Sequence, residues 1–248
     1  MKYKKLTYKT QAKKPYLFIG SKIRGALGYA LKEEVCINPS YKCDGCFASK
    51  SCVFFKMYEE QNTTHKYRLD IQLKEQKYKF SLLLFGELME YEESVHNAVM
   101  ASLDPLSVKF SSKTKKIKNK KNTPKLLKIT LVTPLRIKQK NRFATRNISP
   151  IEILVSIQRR YAALADKKYE KKIFNAPSVV AKHFYFQDLT RRSDKQNTKM
   201  NMGGLMGEMI IKDIDAEVYK LLKIGEVIGV GKSSVFGLGK IKVEAIDV

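Results

Sequence analysis

Gly225-Glu226-Val227-Ile228-Gly229-Val230-Gly231-Lys232-Ser233-Ser234-Val235-Phe236-Gly237-Leu238-Gly239-Lys240 packs five glycines, two lysines and two serines into sixteen residues. Glycine tolerates positive φ and lets another molecule approach the main chain. Unpaired amides, hydroxyls and a lysine are what a phosphate requires. The stretch reads as a phosphate cradle, with Gly229, Gly231, Lys232, Ser233, Ser234, Gly237 and Gly239 as its contacts. Gly231-Lys232-Ser233 is not a nucleotide-binding P-loop. That motif needs a glycine where Glu226 stands, and a helix where the following residues alternate as a strand.

Working outward, Asp215 caps a short helix to Ile224, and Lys240–Ile246 alternates as a final strand. Before them, Leu126–Ile137 reads as a strand interrupted by Pro134. Ser149-Pro150-Ile151-Glu152 opens a helix running to about Asp166. Val179–Leu189 and Gly204–Ile211 read as paired strands. The first half shows the same order. A strand at 3–11 precedes a helix from Ser21 to Glu34, strands follow at Tyr67–Leu73 and Tyr78–Phe85, then a helix at Glu87–Leu103 and a strand at Leu106–Phe110. Two βαββαβ units read as an α+β chain of tandem ferredoxin-like (RRM-like) domains. Their expected bounds are 1–110 and 126–248, joined by a basic linker over 111–125, with the glycine-rich loop at 225–240.

Lys and Arg total 48 against 24 Asp and Glu, a formal net charge of +24. So large an excess points to a polyanionic partner, nucleic acid ahead of an anionic membrane surface. Thirteen basic residues and no acidic one lie between Lys109 and Arg142, and Ser111–Thr123 reads as a mobile loop. No secretory signal or membrane span of about 20 apolar residues is apparent, so a cytoplasmic protein without membrane contact is expected.

Cys36, Cys43, Cys46 and Cys52 form an insertion at 36–52 with the pattern C-x6-C-x2-C-x5-C. Four thiolates suffice for a closed zinc site, and a reducing compartment favours metal over disulfides. An iron–sulfur cluster or free thiols fit the same residues. A closed site would be structural and leave catalysis without a cofactor.

The order of several motifs resembles CRISPR-associated precursor-RNA processing endoribonucleases of the RAMP superfamily. The glycine segment resembles their C-terminal glycine-rich loop. Arg191-Arg192-Ser193-Asp194-Lys195-Gln196 resembles their Arg-x-Ser-x-Arg-Gln, with Lys195 where Arg is usual. Met202-Gly203-Gly204-Leu205-Met206-Gly207-Glu208 resembles the strand opening that follows, and Ile23-Arg24-Gly25-Ala26-Leu27-Gly28 resembles the first helix. The resemblance implies binding of CRISPR repeat RNA and metal-independent cleavage of precursor crRNA at one phosphodiester. The 2′-hydroxyl would attack the adjacent phosphate, leaving a 2′,3′-cyclic phosphate. It also implies that Arg24, Arg191, Arg192 and the glycine loop grip the RNA backbone, and that other CRISPR effector subunits are partners. Such chemistry requires a general base, a general acid and cations.

Here the chain departs from the pattern. Gly229 stands where relatives often carry histidine, and the first helix has none. Of His65, His96 and His183, the catalytic candidates are His65, in His65-Lys66-Tyr67-Arg68, and His183, beside Phe184 and Tyr185. Tyr29 and Lys232 are supporting candidates. The missing histidines keep open an alternative, a non-catalytic crRNA-binding subunit of a ribonucleoprotein.

Overall fold

Each half of the chain places two helices on one face of a four-stranded sheet. The computed structural model describes residues 1–13, 18–103, 108–117, 122–172, 174–193 and 198–246, and divides into compact units Met1–Lys116 and Ile117–Val248. In the first, the elements are β1 (Lys2–Lys13), α1 (Gly20–Val35), a π-helical turn (Phe55–Glu59), β2 (Tyr67–Asp70) and β3 (Lys77–Phe85). A 3-10 turn (Gly86–Tyr91) then leads into α2 (Glu92–Ala101) and β4 (Lys109–Lys116). The sheet order is β2-β3-β1-β4, with every neighbouring pair antiparallel. Period-two alternation sends Leu6 and Tyr8 of β1, opposite Leu82 and Phe80 of β3, to the covered face. Ile23, Leu27 and Leu31 of α1 and Val95, Ala98 and Val99 of α2 are buried at helical spacing.

The second unit begins with β5 (Leu126–Leu135), a small hairpin β6–β7 (Lys138–Gln139, Arg142–Phe143), α3 (Pro150–Leu164) and β8 (Ser178–Gln187). A second hairpin β9–β10 (Thr190–Ser193, Thr198–Asn201), β11 (Gly204–Lys212), α4 (Ala216–Ile228), a 3-10 turn (Ser234–Phe236) and β12 (Ile241–Ile246) complete it. Its order, β12-β5-β11-β8, repeats the ferredoxin-like order of the first. Leu127, Ile129 and Leu131 of β5, Met209 and Ile211 of β11 and Val243 of β12 form the covered face. No helix among the described residues is long and apolar enough to cross a membrane.

Several boundaries differ from the sequence reading. Ser21 does not cap α1; Ile19 stands at the N-cap without a side-chain bond. α4 continues through Ile228, so the quoted stretch begins as helix. There Gly225 makes room for Ile157, whose Cδ1 would lie 2.5 Å from an added Cβ. Ser111–Lys116, expected as loop, is the greater part of β4. Its ladder with Lys2–Lys9 of β1 supplies backbone bonds that outweigh the charge of its lysines. Leu106, Lys118, Lys120 and Lys121 lie outside the described residues.

The cap of α3 follows the sequence reading. Ser149 Oγ accepts from Glu152 N at 3.3 Å, and Glu152 Oε2 accepts from Ser149 N at 2.8 Å. Ser149→Ala is expected to cost about 1 kcal/mol, read as a lower urea midpoint with an unchanged slope.

Candidate nucleic-acid interface

The glycine loop is closed by its own backbone. Val230 N donates to Gly239 O (2.8 Å), Lys232 N to Arg136 O (2.8 Å) and Gly239 N to Pro134 O (3.0 Å). Gly231 N donates to Ser156 Oγ at 2.8 Å. Thr133, fully buried, donates its hydroxyl to Gly237 O and accepts from Lys240 N, each at 2.9 Å. Most of the loop's amides are thus committed, to residues 133–136, to the helices α3 and α4 or to the loop itself, rather than open to a phosphate, which corrects the reading of the loop as a set of free donors. Only Ser233, Ser234 and Val235, where the 3-10 turn starts, carry amides outside these bonds among the described loop residues.

The glycines serve this closure. Gly231 has φ +75°, and a Cβ there would lie 2.4 Å from Arg136 O; Gly239 has φ +69°, with Val230 O 1.8 Å from its would-be Cβ. Gly229 and Gly237 also take positive φ, and Ser233 does so at 68°. Ser234 is buried, whereas the Lys232 side chain is exposed. Arg160 Nε donates to Ile228 O at 2.7 Å, closing the end of α4 that feeds the loop.

On the open face of the same sheet, His183 of β8 lies directly across from Glu208 of β11. His183 and Tyr185 are exposed, their ring centroids 6.4 Å apart. Lys128 of β5 joins Glu208 through an ion pair of 2.6 Å. An imidazole, a phenol and a cation therefore share one solvent-facing surface. Arg191 and Arg192 lie on β9 opposite Met200 and Lys199 of β10; their side chains, with Lys195 and Gln196, lie outside the described residues.

In the first unit the candidates are drawn inward. The guanidinium of Arg24 stacks 4.4 Å from the Tyr58 ring centroid, and its Nε donates to Tyr67 Oη at 2.9 Å. Tyr58 Oη donates back to Arg24 O at 2.8 Å. Burial raises the pKa of both phenols, so they stay protonated, Tyr58 as donor to Arg24 O and Tyr67 as acceptor from Arg24 Nε. His65 is half-buried, its Nδ1 3.2 Å from Lys56 O, which favours the Nδ1–H tautomer. The expected His65-Lys66-Tyr67-Arg68 constellation does not assemble at the surface. Tyr67 and Arg68 enter β2 and are buried at 0% and 1% exposure, while Lys66 and Lys56 both pair with Glu87. His96 packs 3.9 Å from Phe110, centroid to centroid.

A basic feature invisible in the linear sequence crosses the first sheet. Lys9 of β1 stands opposite Lys79 of β3 and Lys109 of β4, and Lys5 opposite Lys113. Lys9, Lys79, Lys109 and Lys113 are exposed on one face. Like charges directly across strands repel unless an anion lies over them.

Cys36, Cys43, Cys46 and Cys52 are all free thiols and all line one cavity of about 20 Å³. Among the described residues, no group of three or more His, Cys, Asp and Glu is placed so that it could hold a metal ion.

Residues 129–241 match the family model of the CRISPR-associated endoribonuclease Cas6, and residues 2–103 match a second model described as an N-terminal domain. A search of curated proteins gave no match. Among solved structures, one Cas6 product complex superposes with a TM-score of 0.60 at 15% identity, covering 99% of this chain and 100% of that one. A second Cas6 product complex gives 0.62 at 12% identity, covering 98% and 99%. Thermus thermophilus Cas6 gives 0.56 at 12% identity, covering 98% of each chain. At these identities the likeness is one of fold, and it extends along the whole chain.

Gly239→Ala is expected to destabilise the chain by at least about 2 kcal/mol, because positive φ and a backbone clash act together. Lys232→Ala, at an exposed side chain, is expected to stay within about 0.5 kcal/mol of the parent. Chemical denaturation of both variants checks the contrast.

Proposed function

We propose, from the match of residues 129–241 to the family model of the CRISPR-associated endoribonuclease Cas6, that the chain binds CRISPR repeat RNA and cleaves precursor crRNA at a single phosphodiester. The match over the unit that holds the glycine loop carries this reading. Structures of similar fold include Cas6 product and substrate-mimic complexes and part of a Cas6-RT-Cas1–Cas2 complex. Repeat RNA is accordingly the proposed substrate, and other CRISPR subunits are proposed partners.

In the proposed reaction the 2′-hydroxyl oxygen bonds to the adjacent phosphorus as the bond to the 5′-oxygen breaks. A base takes the 2′-proton and an acid returns one to the leaving oxygen, giving a 2′,3′-cyclic phosphate and a 5′-hydroxyl. Both proton transfers fall to side chains, so no metal takes part. His183 suits the base better than His65. It is exposed on an open sheet face beside Tyr185 and across from Glu208, whereas His65 is tied to the Lys56 carbonyl with its expected partners buried. Lys128 of β5, through its ion pair with Glu208, is the cation on that same sheet face. The exposed lysines of the first sheet and Lys232 attract the backbone without reading sequence.

A second reading, RNA binding without cleavage, draws on Gly229, which is a buried helix terminus where relatives often carry histidine. Incubation with cognate repeat RNA in EDTA separates the two. One cut ending in a cyclic phosphate supports the enzyme; tight binding with no cut, at enzyme excess and across pH, leaves only the binding subunit.

Two further outcomes are expected. His183→Ala should slow cleavage about 10²–10⁴-fold with RNA affinity nearly kept, and His65→Ala should slow it less than tenfold in the same single-turnover assay. Replacing Lys9, Lys79, Lys109 and Lys113 by Ala should flatten the salt dependence, log K against log salt, by up to about 0.7 per lysine. An unchanged slope would remove this face from the interface.

A further inference from the structure

The segment from Cys36 to Lys66 has little hydrophobic core with which to hold its shape. Within it, Val53, Phe54 and Met57 are buried, whereas Ile37, Tyr41 and Phe47 are 70%, 46% and 75% exposed. Chain of this kind ordinarily needs a cross-link or a metal to be ordered. Its four cysteines form no disulfide.

The local folding brings the four cysteines to the wall of one cavity. Cys36 is the C-cap of α1, its amide bonded to Lys32 O at 3.0 Å. Gly45, at φ +65°, turns the chain so that Cys46 N reaches Cys43 O. Cys52 N bonds to Ala48 O, and Cys52 O accepts from Lys56 N at the π-helical turn. That small cavity is lined by all four cysteines, with Lys42 and Phe54 among its other walls. Four thiolates converging on one point are the donor set of a closed tetrahedral zinc site.

We infer that Cys36, Cys43, Cys46 and Cys52 bind one zinc-class divalent ion, and that this ion holds the π-helical turn against α1 so that Arg24 is fixed in place. On binding, the four thiols draw inward and release their protons to solvent, leaving a tetrathiolate centre of net charge −2. Lys42 in the cavity wall, and Lys32, whose Nζ lies 5.4 Å from the Phe54 ring centroid, supply compensating charge.

The route from the ion to Arg24 is continuous. Cys52 leads directly into Phe54 and the π-helical turn, and Phe54 stacks on Tyr58 at 5.2 Å. Tyr58 lies so tightly on α1 that a Cβ at Gly28 would meet its ring at 2.6 Å. The Tyr58 ring underlies the Arg24 guanidinium, which reaches Tyr67. Arg24 is a positioning element in this scheme, and the inference stands apart from RNA cleavage.

The test uses the full chain. Metal analysis of the purified protein should find about one zinc per chain, and cobalt replacement should give the d–d bands of tetrahedral thiolate coordination. Cys43→Ser with Cys46→Ser should lower bound zinc more than tenfold. Because an unfolded double variant would also lose metal, the parent chain is titrated with a mercurial while a metallochromic dye follows zinc release. Release in step with thiol modification supports the site. Four freely reactive thiols with no stoichiometric metal, two disulfides, or an iron–sulfur charge-transfer spectrum would each overturn it. For positioning, amide hydrogen exchange is compared with and without a chelator. Faster exchange confined to α1 and residues 36–66 supports it; no change, or an equal rise over 129–241, overturns it.

Discussion

Two carbonyl oxygens set the geometry of the second unit: Val230 O, 1.8 Å from where a Cβ at position 239 would stand, and Arg136 O, 2.4 Å from the same point at position 231. The chain leaving α4 must turn back onto the end of β5 before it enters β12, and it does so by backbone-to-backbone contact. Only glycine fits there, and only at positive φ. Thr133, buried beneath the turn, holds its returning arm at Gly237 and Lys240 through one hydroxyl. The closure joins β12 to β5 at the sheet edge and leaves the Lys232 side chain at the surface. The loop is thus first a packing device; its offering to RNA is a side chain and a few amides.

Electrostatics follows from where the few acids are spent. Glu92 meets Lys4, Asp70 meets Lys5, Glu87 meets both Lys56 and Lys66, and Glu208 meets Lys128. The Lys56 hydrogen bond lowers the pKa of Glu87, which keeps that carboxylate charged beside its two partners. Such pairs at half-exposed positions add little stability. Their consequence is spatial: they neutralise the sites they occupy and leave Lys9 between Lys79 and Lys109 across the strands, with Lys113 exposed on the same face. Folding alone gains nothing from that arrangement, whereas a phosphate backbone laid over it does.

Aromatic contacts organise the first unit in a different way. Tyr58 is held by Phe54, by the bare backbone at Gly28 and by the Arg24 carbonyl at once. A side chain so constrained leaves Arg24 little freedom, and the π-helical turn that carries it depends on how the cysteine segment is anchored. The cysteines therefore bear on α1 although none of them lies within it.

Much of this was legible in the residues. Period-two alternation at Tyr3–Lys9 and Leu127–Leu131, helical spacing in α1 and α3, and the Ser149–Glu152 cap are local patterns, and they specify two βαββαβ units in order. The glycine-rich composition marked the turn before β12, and the spacing of the cysteines marked the insertion. What the sequence could not specify was which partner each group would find. The loop amides went to Pro134, Arg136 and Ser156, Tyr67 and Arg68 went into a strand rather than to a surface cluster, and the lysines of β4 gained register with Lys9 and Lys5. Periodicity is set by neighbours a few positions apart along the chain. Hydrogen-bond partners, burial and cross-strand charge are set by residues dozens of positions away, and only the tertiary structure brings those together.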